Sequence, residues 1–135
     1  MSEQTRPPMS DAEREILVAL WDRGPKTVRE MHALLEDEGL AWTRSTVITL
    51  LQRLERKGYV ASDRRQPAFV FRAAVSREEV MHQRMAEIAH ELSEGDAVPL
   101  VLAFAERHRF TPAEIARLQE ILDDARNKTS RRKPT

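Results

Sequence analysis

The chain has 135 residues with 41% hydrophobic and 33% charged content, which predicts one folded domain or one small domain plus an assembly module. It contains no cysteine, which excludes disulfides, thiolate metal sites and a cysteine nucleophile. The formal net charge is 0, but residues 43–72 carry seven Arg/Lys against two Asp/Glu, a net of +5. Residues 73–128 carry seven against eleven, a net of −4. This asymmetry predicts one half that attracts a polyanion and an acidic half that stays away from phosphates.

The N-terminus lacks the apolar h-region of a signal peptide, and no apolar run is long enough to span a bilayer. We therefore expect a cytoplasmic protein without direct membrane insertion.

Capping residues and glycines divide the chain into six predicted helices. Four segments begin with Ser or Thr followed three residues later by Glu, at Ser10, Thr27, Ser76 and Thr111. Each glycine follows a helical stretch, at Gly24, Gly39, Gly58 and Gly95. Together with the apolar periodicity, these signals predict helices at about residues 11–23, 28–38, 43–57, 77–94, 97–107 and 112–127.

The third predicted helix has one apolar face and one polar face. The apolar face, which should be buried, carries Val47, Leu50, Leu51 and Leu54. The other face carries side chains that reach phosphates and base edges in DNA: Arg44, Ser45, Thr46, Thr49, Gln52 and Arg53. Two short strands follow at about residues 59–62 and 68–71, with Arg64 and Arg65 at the tip between them. This layout is typical of a winged helix-turn-helix DNA-binding domain.

The last three predicted helices carry apolar stripes that three helices in some 50 residues cannot bury alone. The stripes consist of Met81, Met85, Ile88, Leu92, Leu100, Val101, Phe104, Ile115, Leu118 and Leu122. We infer a helical dimerisation module and a mainly α protein with a small β-hairpin wing. The predicted organisation is a flexible N-terminus (1–9), a winged-helix domain (10–74), a dimerisation domain (75–127) and a basic flexible tail (128–135).

Several motifs, in this order and spacing, resemble the penicillinase-repressor family of the BlaI and MecI type. They lie at residues 10–21, 24–30, 42–58 and 75–79. The resemblance implies a homodimeric repressor that binds a palindromic, inverted-repeat operator in double-stranded DNA. By motif, it places the DNA contacts of the recognition helix on Thr43, Ser45, Thr46, Thr49 and Arg53.

The resemblance also implies a route of derepression. In that family, a membrane sensor-protease that detects β-lactams often triggers cleavage inside the dimerisation module. The corresponding cleavage position here is Ala103 and Phe104, and many relatives carry Asn where this chain has Ala103.

Two other readings stay open at this point. One is a winged-helix regulator that is relieved by a small-molecule ligand, and the other is an adaptor that binds another protein. No catalytic motif or phosphate-binding glycine loop is present, so we expect neither an enzyme nor a cofactor. His82 and His90 are eight residues apart, about 12 Å along a helix, which is too far for both to bind one metal ion.

Overall fold

The computed structural model describes residues 6–131, apart from the side chain of Arg131. The chain divides between Glu87 and Ile88 into two compact units, here called the first unit and the second unit. The predicted domain boundary lies earlier, after residue 74, and stays a prediction based on sequence motifs. Residues 1–5 and 132–135, including Arg132 and Lys133 of the predicted basic tail, lie outside the described residues.

Helices dominate both units. The elements are α1 (Asp11–Arg23), β1 (Lys26–Thr27), α2 (Val28–Asp37), α3 (Arg44–Lys57), β2 (Val60–Asp63), β3 (Val70–Ala73), α4 (Arg77–Leu92), α5 (Val98–Arg107) and α6 (Pro112–Arg131). The six predicted helices are confirmed, and the first five agree with their predicted ends to within two residues.

The sixth helix is longer than predicted. Helix α6 continues to Arg131, four residues beyond the predicted end at residue 127, so residues 128–131 are helical. The sequence pattern missed this because those residues carry no apolar periodicity. Once a helix has nucleated, adding polar residues to its end costs little.

Three antiparallel strands form a sheet in the order β1-β3-β2. The hairpin is confirmed, although β2 and β3 begin one and two residues later than predicted. Strand β1 was missed, and it pairs Lys26 with Phe71 and Thr27 with Val70. A two-residue strand is too short to show the alternation by which strands are recognised in sequence.

The core of the first unit lies where α1, α2, α3 and the sheet meet. Its buried side chains are Ile16, Leu17, Ala19, Leu20, Met31, Leu35, Val47, Leu50, Leu51, Leu54, Tyr59, Val60, Phe71, Val75 and Val80. All four side chains predicted on the apolar face of the third helix are among them. Trp21 and Trp42 are partly buried and pack against this core, so Trp42 contacts the protein interior at the entry to α3.

All four predicted capping boxes are present. At Ser10, for example, the hydroxyl accepts a hydrogen bond from the Glu13 amide at 3.1 Å, and the Glu13 carboxylate accepts one from the Ser10 amide at 2.9 Å. The same reciprocal pair forms at Thr27, Ser76 and Thr111. These caps satisfy amides that would otherwise lack partners at the helix starts. Gly58, at φ +90°, ends α3 in the left-handed conformation and leads the chain into the wing.

The end of the predicted flexible N-terminus makes specific contacts in the structure. The Tyr59 hydroxyl donates a hydrogen bond to the Pro7 carbonyl at 2.7 Å, and the Lys57 ammonium donates one to the Pro8 carbonyl at 2.9 Å. Residues 7 and 8 are therefore restrained by the first unit. Sequence periodicity does not reveal such contacts because they use backbone carbonyls rather than apolar side chains.

None of the helices within residues 6–131 has both the length and the apolar character that crossing a bilayer requires.

Candidate nucleic-acid interface

Helix α3 presents a polar face to solvent because its apolar face is fixed in the core. Val47, Leu50 and Leu51 are at most 5% exposed. With 3.6 residues per turn, burying these positions turns the intervening polar positions outward. All nine predicted DNA-binding residues are exposed: Thr43, Arg44, Ser45, Thr46, Thr49, Gln52, Arg53, Arg64 and Arg65.

Hydrogen bonds within the protein hold two hydroxyls in place at the start of α3. Thr43 is the N-cap residue, and its side-chain oxygen accepts a hydrogen bond from the Thr46 amide at 3.1 Å. The Thr43 hydroxyl also lies 3.1 Å from the Thr46 hydroxyl and donates to it. Thr43 thus has a structural role in addition to its predicted role in binding, and both hydroxyls lie at the exposed N-terminal end of the helix.

The opposite end of α3 is fixed to α1 by a buried ion pair. The Lys57 ammonium lies 2.7 Å from the carboxylate of Glu13, which is 1% exposed. Burial raises the pKa of Glu13, but the hydrogen bonds from Lys57 and the Ser10 amide, with the charges of Lys57 and Arg53, outweigh it. The pKa of Glu13 therefore lies below its ordinary value of 4.5. This pair helps to hold α3 at a fixed position on the first unit.

The wing consists of β2, β3 and residues 64–69 between them, and its two predicted arginines are engaged within the protein. Arg64 lies 3.0 Å from the Glu55 carboxylate, and its guanidinium lies 4.8 Å from the centre of the Phe69 ring. Arg65 forms a two-pronged contact with Asp63, at 3.0 and 2.8 Å.

These contacts change the electrostatics of the wing. Hydrogen bonds from the Arg65 side chain and amide lower the pKa of Asp63 to about 2, and the same pairing raises the pKa of Arg65. Asp63 is therefore ionised at neutral pH and offsets the charge of Arg65. A phosphate can form a full ion pair with Arg65 only by replacing Asp63. The number of charges in the sequence does not reveal this competition.

Four arginines within residues 43–72 have no ion-pair partner in the described part of the chain. They are Arg44, Arg53, Arg56 and Arg72. Arg44, Arg53 and Arg56 lie on α3, and all four are exposed. The positive charge that is available to a polyanion is thus concentrated on α3 more than on the wing tip.

A cavity of about 530 Å³ lies between α3, the start of α2 and the wing. Its lining residues are Thr27, Val28, Arg29, Arg44, Ile48, Gln52, Arg64, Pro67, Ala68, Phe69 and Phe71. Neither Arg29 nor Ile48 is among the site residues predicted from the sequence. The capping box at Thr27 was a usable signal for Arg29, because it places that residue in the first turn of α2. For Ile48, the signal was its spacing of four residues from Arg44 and from Gln52, which places it on the polar face of α3 although its side chain is apolar.

The second unit leaves most of its predicted dimerisation residues exposed. Leu92 and Phe104 are 76% and 62% exposed, and Leu100 is partly buried. Ile88, Val101, Ile115, Leu118 and Leu122 are also exposed. Met81 and Met85, on the part of α4 that belongs to the first unit, are exposed as well.

The predicted cleavage position lies on a helix. Ala103 and Phe104 are exposed residues within α5, and the Phe104 ring stacks on His108 with a centroid distance of 4.8 Å. Phe110 contacts His108 edge to face at 4.5 Å. A protease that needs an extended backbone would therefore have to unwind α5 and disrupt this aromatic cluster.

The arrangement of α2, α3 and a three-stranded sheet with a wing defines a winged-helix DNA-binding protein, which confirms the predicted fold class. The sequence model of the Penicillinase repressor family matches residues 9–124. The chain therefore belongs to the penicillinase repressor family of transcriptional regulators. Because this family is non-enzymatic, the prediction that the chain is not an enzyme is confirmed.

Two curated relatives illustrate the similarity. The transcriptional regulator BlaI of Mycobacterium tuberculosis (strain ATCC 25618 / H37Rv) is 34% identical over 110 residues, which cover 79% of this chain and 77% of that protein. The penicillinase repressor of Bacillus licheniformis is 25% identical over 122 residues, which cover 90% and 94%. Among solved structures, the monomeric form of Bacillus licheniformis BlaI in complex with the blaP half-operator matches with a TM-score of 0.46 and 26% identity. That match covers 54% of this chain and 88% of the other.

Proposed function

We propose that this protein is a homodimeric transcriptional repressor that binds an inverted-repeat operator through α3 of each copy. The observation that carries this proposal is the exposed polar face of α3, where Arg44 and Arg53 have no ion-pair partner within residues 6–131. Family membership supports it, since the relatives include a penicillinase repressor and the transcriptional regulator BlaI of Mycobacterium tuberculosis.

Helix α3 has the dimensions and chemistry to enter the major groove, which admits one α-helix. We assign base reading and positioning to Thr46, Thr49 and Arg53. Arg44, Ser45 and Gln52 also lie on the exposed face and extend this contact surface. Guanidinium and amide groups can form paired hydrogen bonds with guanine and adenine edges, whereas the threonine hydroxyls can bond to phosphates or bases.

The wing makes a secondary contribution in this proposal. Arg64 and Arg65 reach the phosphate backbone or the minor groove only after exchanging Glu55 and Asp63 for phosphate oxygens. Exposed ion pairs contribute little to stability because water screens them, so this exchange is feasible but yields a small net gain.

The apolar side chains that the second unit exposes support the homodimer in this proposal. Exposed leucine, isoleucine, valine and phenylalanine side chains lie on both α5 and α6. Soluble monomers rarely expose large apolar patches to water. A second copy is the natural partner because identical chains offer the same surface in a twofold arrangement. Twofold symmetry in turn predicts an inverted-repeat operator with half-sites about one helical turn or more apart.

We further propose that derepression occurs by cleavage at Ala103 and Phe104 by a membrane sensor-protease that responds to a cell-wall or antibiotic signal. The exposure of both residues supports access by a protease, and their position in α5 means that cleavage would break a helix of the second unit. Loss of that helix would dissolve the proposed dimer and weaken operator binding.

The test is a salt series with the promoter fragment that precedes the protein's own reading frame. Fluorescence anisotropy should show specific binding that weakens about a thousand-fold or more between about 50 and 200 mM salt, as expected when six or more phosphates are contacted. A duplex of the same composition with scrambled half-sites is the control. Equal binding to both duplexes, or affinity that does not depend on salt, would refute DNA recognition and favour a protein-binding adaptor.

A further inference from the structure

Exposed apolar side chains are unevenly placed in the described part of the chain. Fourteen large hydrophobic side chains are exposed, and twelve of them lie on α4, α5 and α6. The other two, Ile48 and Phe69, lie in the winged-helix region and line the same cavity between α3 and the wing. The twelve lie on the three helices of the predicted dimerisation domain, which leaves Ile48 and Phe69 unexplained.

Ile48 does not serve the core. Its side chain is 37% exposed, and it is absent both from the buried cluster of the first unit and from the partly buried residues that pack against that cluster. Phe69 differs because the guanidinium of Arg64 already covers one face of its ring at 4.8 Å. Ile48 is therefore the apolar group of α3 that is available to a partner.

The neighbours of Ile48 indicate which partner that is. Arg44, Ile48 and Gln52 are four residues apart, so they form one strip along α3, and all three line the cavity. Arginine pairs with guanine and glutamine pairs with adenine in the major groove. An apolar side chain between two such groups fits the one apolar feature that a base edge shows there, the 5-methyl group of thymine.

We propose that Ile48 is a specificity residue that reads a thymine methyl group in each operator half-site. This inference rests on the proposed operator binding and adds to it the identity of one base. Removing one methyl group from an apolar contact costs about four-fold in affinity, which is measurable but smaller than the loss of a paired hydrogen bond.

The experiment deletes the methyl group from the DNA and the side chain from the protein. An operator is selected from a random duplex library with the full-length chain, and each thymine is then replaced singly by deoxyuridine, which lacks the methyl group but keeps base pairing. Anisotropy should reveal one position per half-site where the replacement weakens wild-type binding about four-fold. With Ile48→Ala, the same replacement should have no effect at that position, and Ile48→Val should retain most of the effect.

Two controls keep the result interpretable. Ile121→Ala truncates another exposed isoleucine, which lies on α6. Whatever its overall affinity, this variant should keep the full ratio between its affinities for the thymine and the deoxyuridine operators. Thermal melting verifies that the Ile48 variants are folded. Two results would overturn this inference and leave the repressor proposal intact. One is an enriched operator in which replacing thymine by deoxyuridine changes the affinity equally for wild type and Ile48→Ala. The other is an enriched operator without thymine. If no sequence is enriched, both are wrong.

Discussion

The two units use their apolar side chains in opposite ways. In the first unit, large apolar side chains from α1, α2, α3 and the sheet are buried in one core. In the second unit, Ala89 is the one buried hydrophobic residue among those the structure describes, and no residue of α5 is buried. The first unit therefore has the core of an independent domain. The second unit has apolar side chains of the kind that form a core, but they are exposed, as expected for half of an interface.

The largest effect is expected from a charge placed on the apolar surface of the second unit. Leu122→Asp should weaken the proposed dimer about a thousand-fold, because an unpaired carboxylate would be buried when two copies meet. Sedimentation equilibrium measures the change.

Ala113→Asp is the matched control for this variant. Ala113 is an exposed residue nine positions before Leu122, which places it on the opposite side of α6, so the same new charge should leave the dimer unchanged. Equal behaviour of the two variants would show that the apolar stripe of α6 is not an interface.

In the first unit, the ion pair between Glu13 and Lys57 should matter for stability. Glu13→Gln should lower the free energy of unfolding by about 2–3 kcal/mol at neutral pH, because Lys57 loses a buried charged partner. Urea unfolding measures this, and Glu15→Gln, an exposed position on the same helix, should change little.

The Glu13 effect has a defined pH dependence. Because the pKa of Glu13 is lowered in the folded protein, its contribution is present above the ordinary value of 4.5 and is lost as the pH falls through the folded-state pKa. The difference between wild type and Glu13→Gln should therefore be constant near neutral pH and shrink in acid. A difference that grows on acidification would contradict this assignment.

A substitution at Arg53 tests whether the exposed face of α3 contacts bases or phosphates. Arg53→Ala should weaken specific operator binding by about 1–3 kcal/mol and relax specificity at one base position. Arg107→Ala, which removes an exposed arginine of α5, is the control for a general loss of positive charge. A loss that is equal across all sequences would make Arg53 a phosphate contact instead of a base contact.

The smallest effect concerns the wing. Asp63→Asn removes the carboxylate that pairs with Arg65, so operator affinity should rise about two- to three-fold and the salt dependence should steepen by about one phosphate contact. Anisotropy over a salt series measures both. Since the pKa of Asp63 is about 2, the effect should be the same from about pH 5 to 8. Unchanged affinity and slope would show that Arg65 does not contact DNA.

The sequence was sufficient to predict the features that depend on local signals, namely the helix starts and the buried face of α3. The capping boxes at Ser10 and Thr27 set helix starts, and the spacing of Val47, Leu50 and Leu54 identified the buried face of α3. These features depend on neighbours within a few residues, so a single chain reveals them.

Features that depend on distant partners were missed. Strand β1 exists because Lys26 and Thr27 meet β3, and the carbonyl of Pro7 accepts a hydrogen bond from Tyr59, 52 residues away. The charge count around the wing overestimated its available positive charge because it ignored side-chain pairing. Ile48 was overlooked because its side chain is apolar, although its spacing of four residues from Arg44 and Gln52 places it on the polar face of α3.

Native mass spectrometry of the full chain with its selected operator tests the central claim most directly. A duplex with both half-sites should bind two copies, and a duplex with one half-site scrambled should bind far more weakly at the same concentration. One copy per intact operator, or equal occupancy of both duplexes, would contradict a repressor that recognises DNA as a symmetric pair.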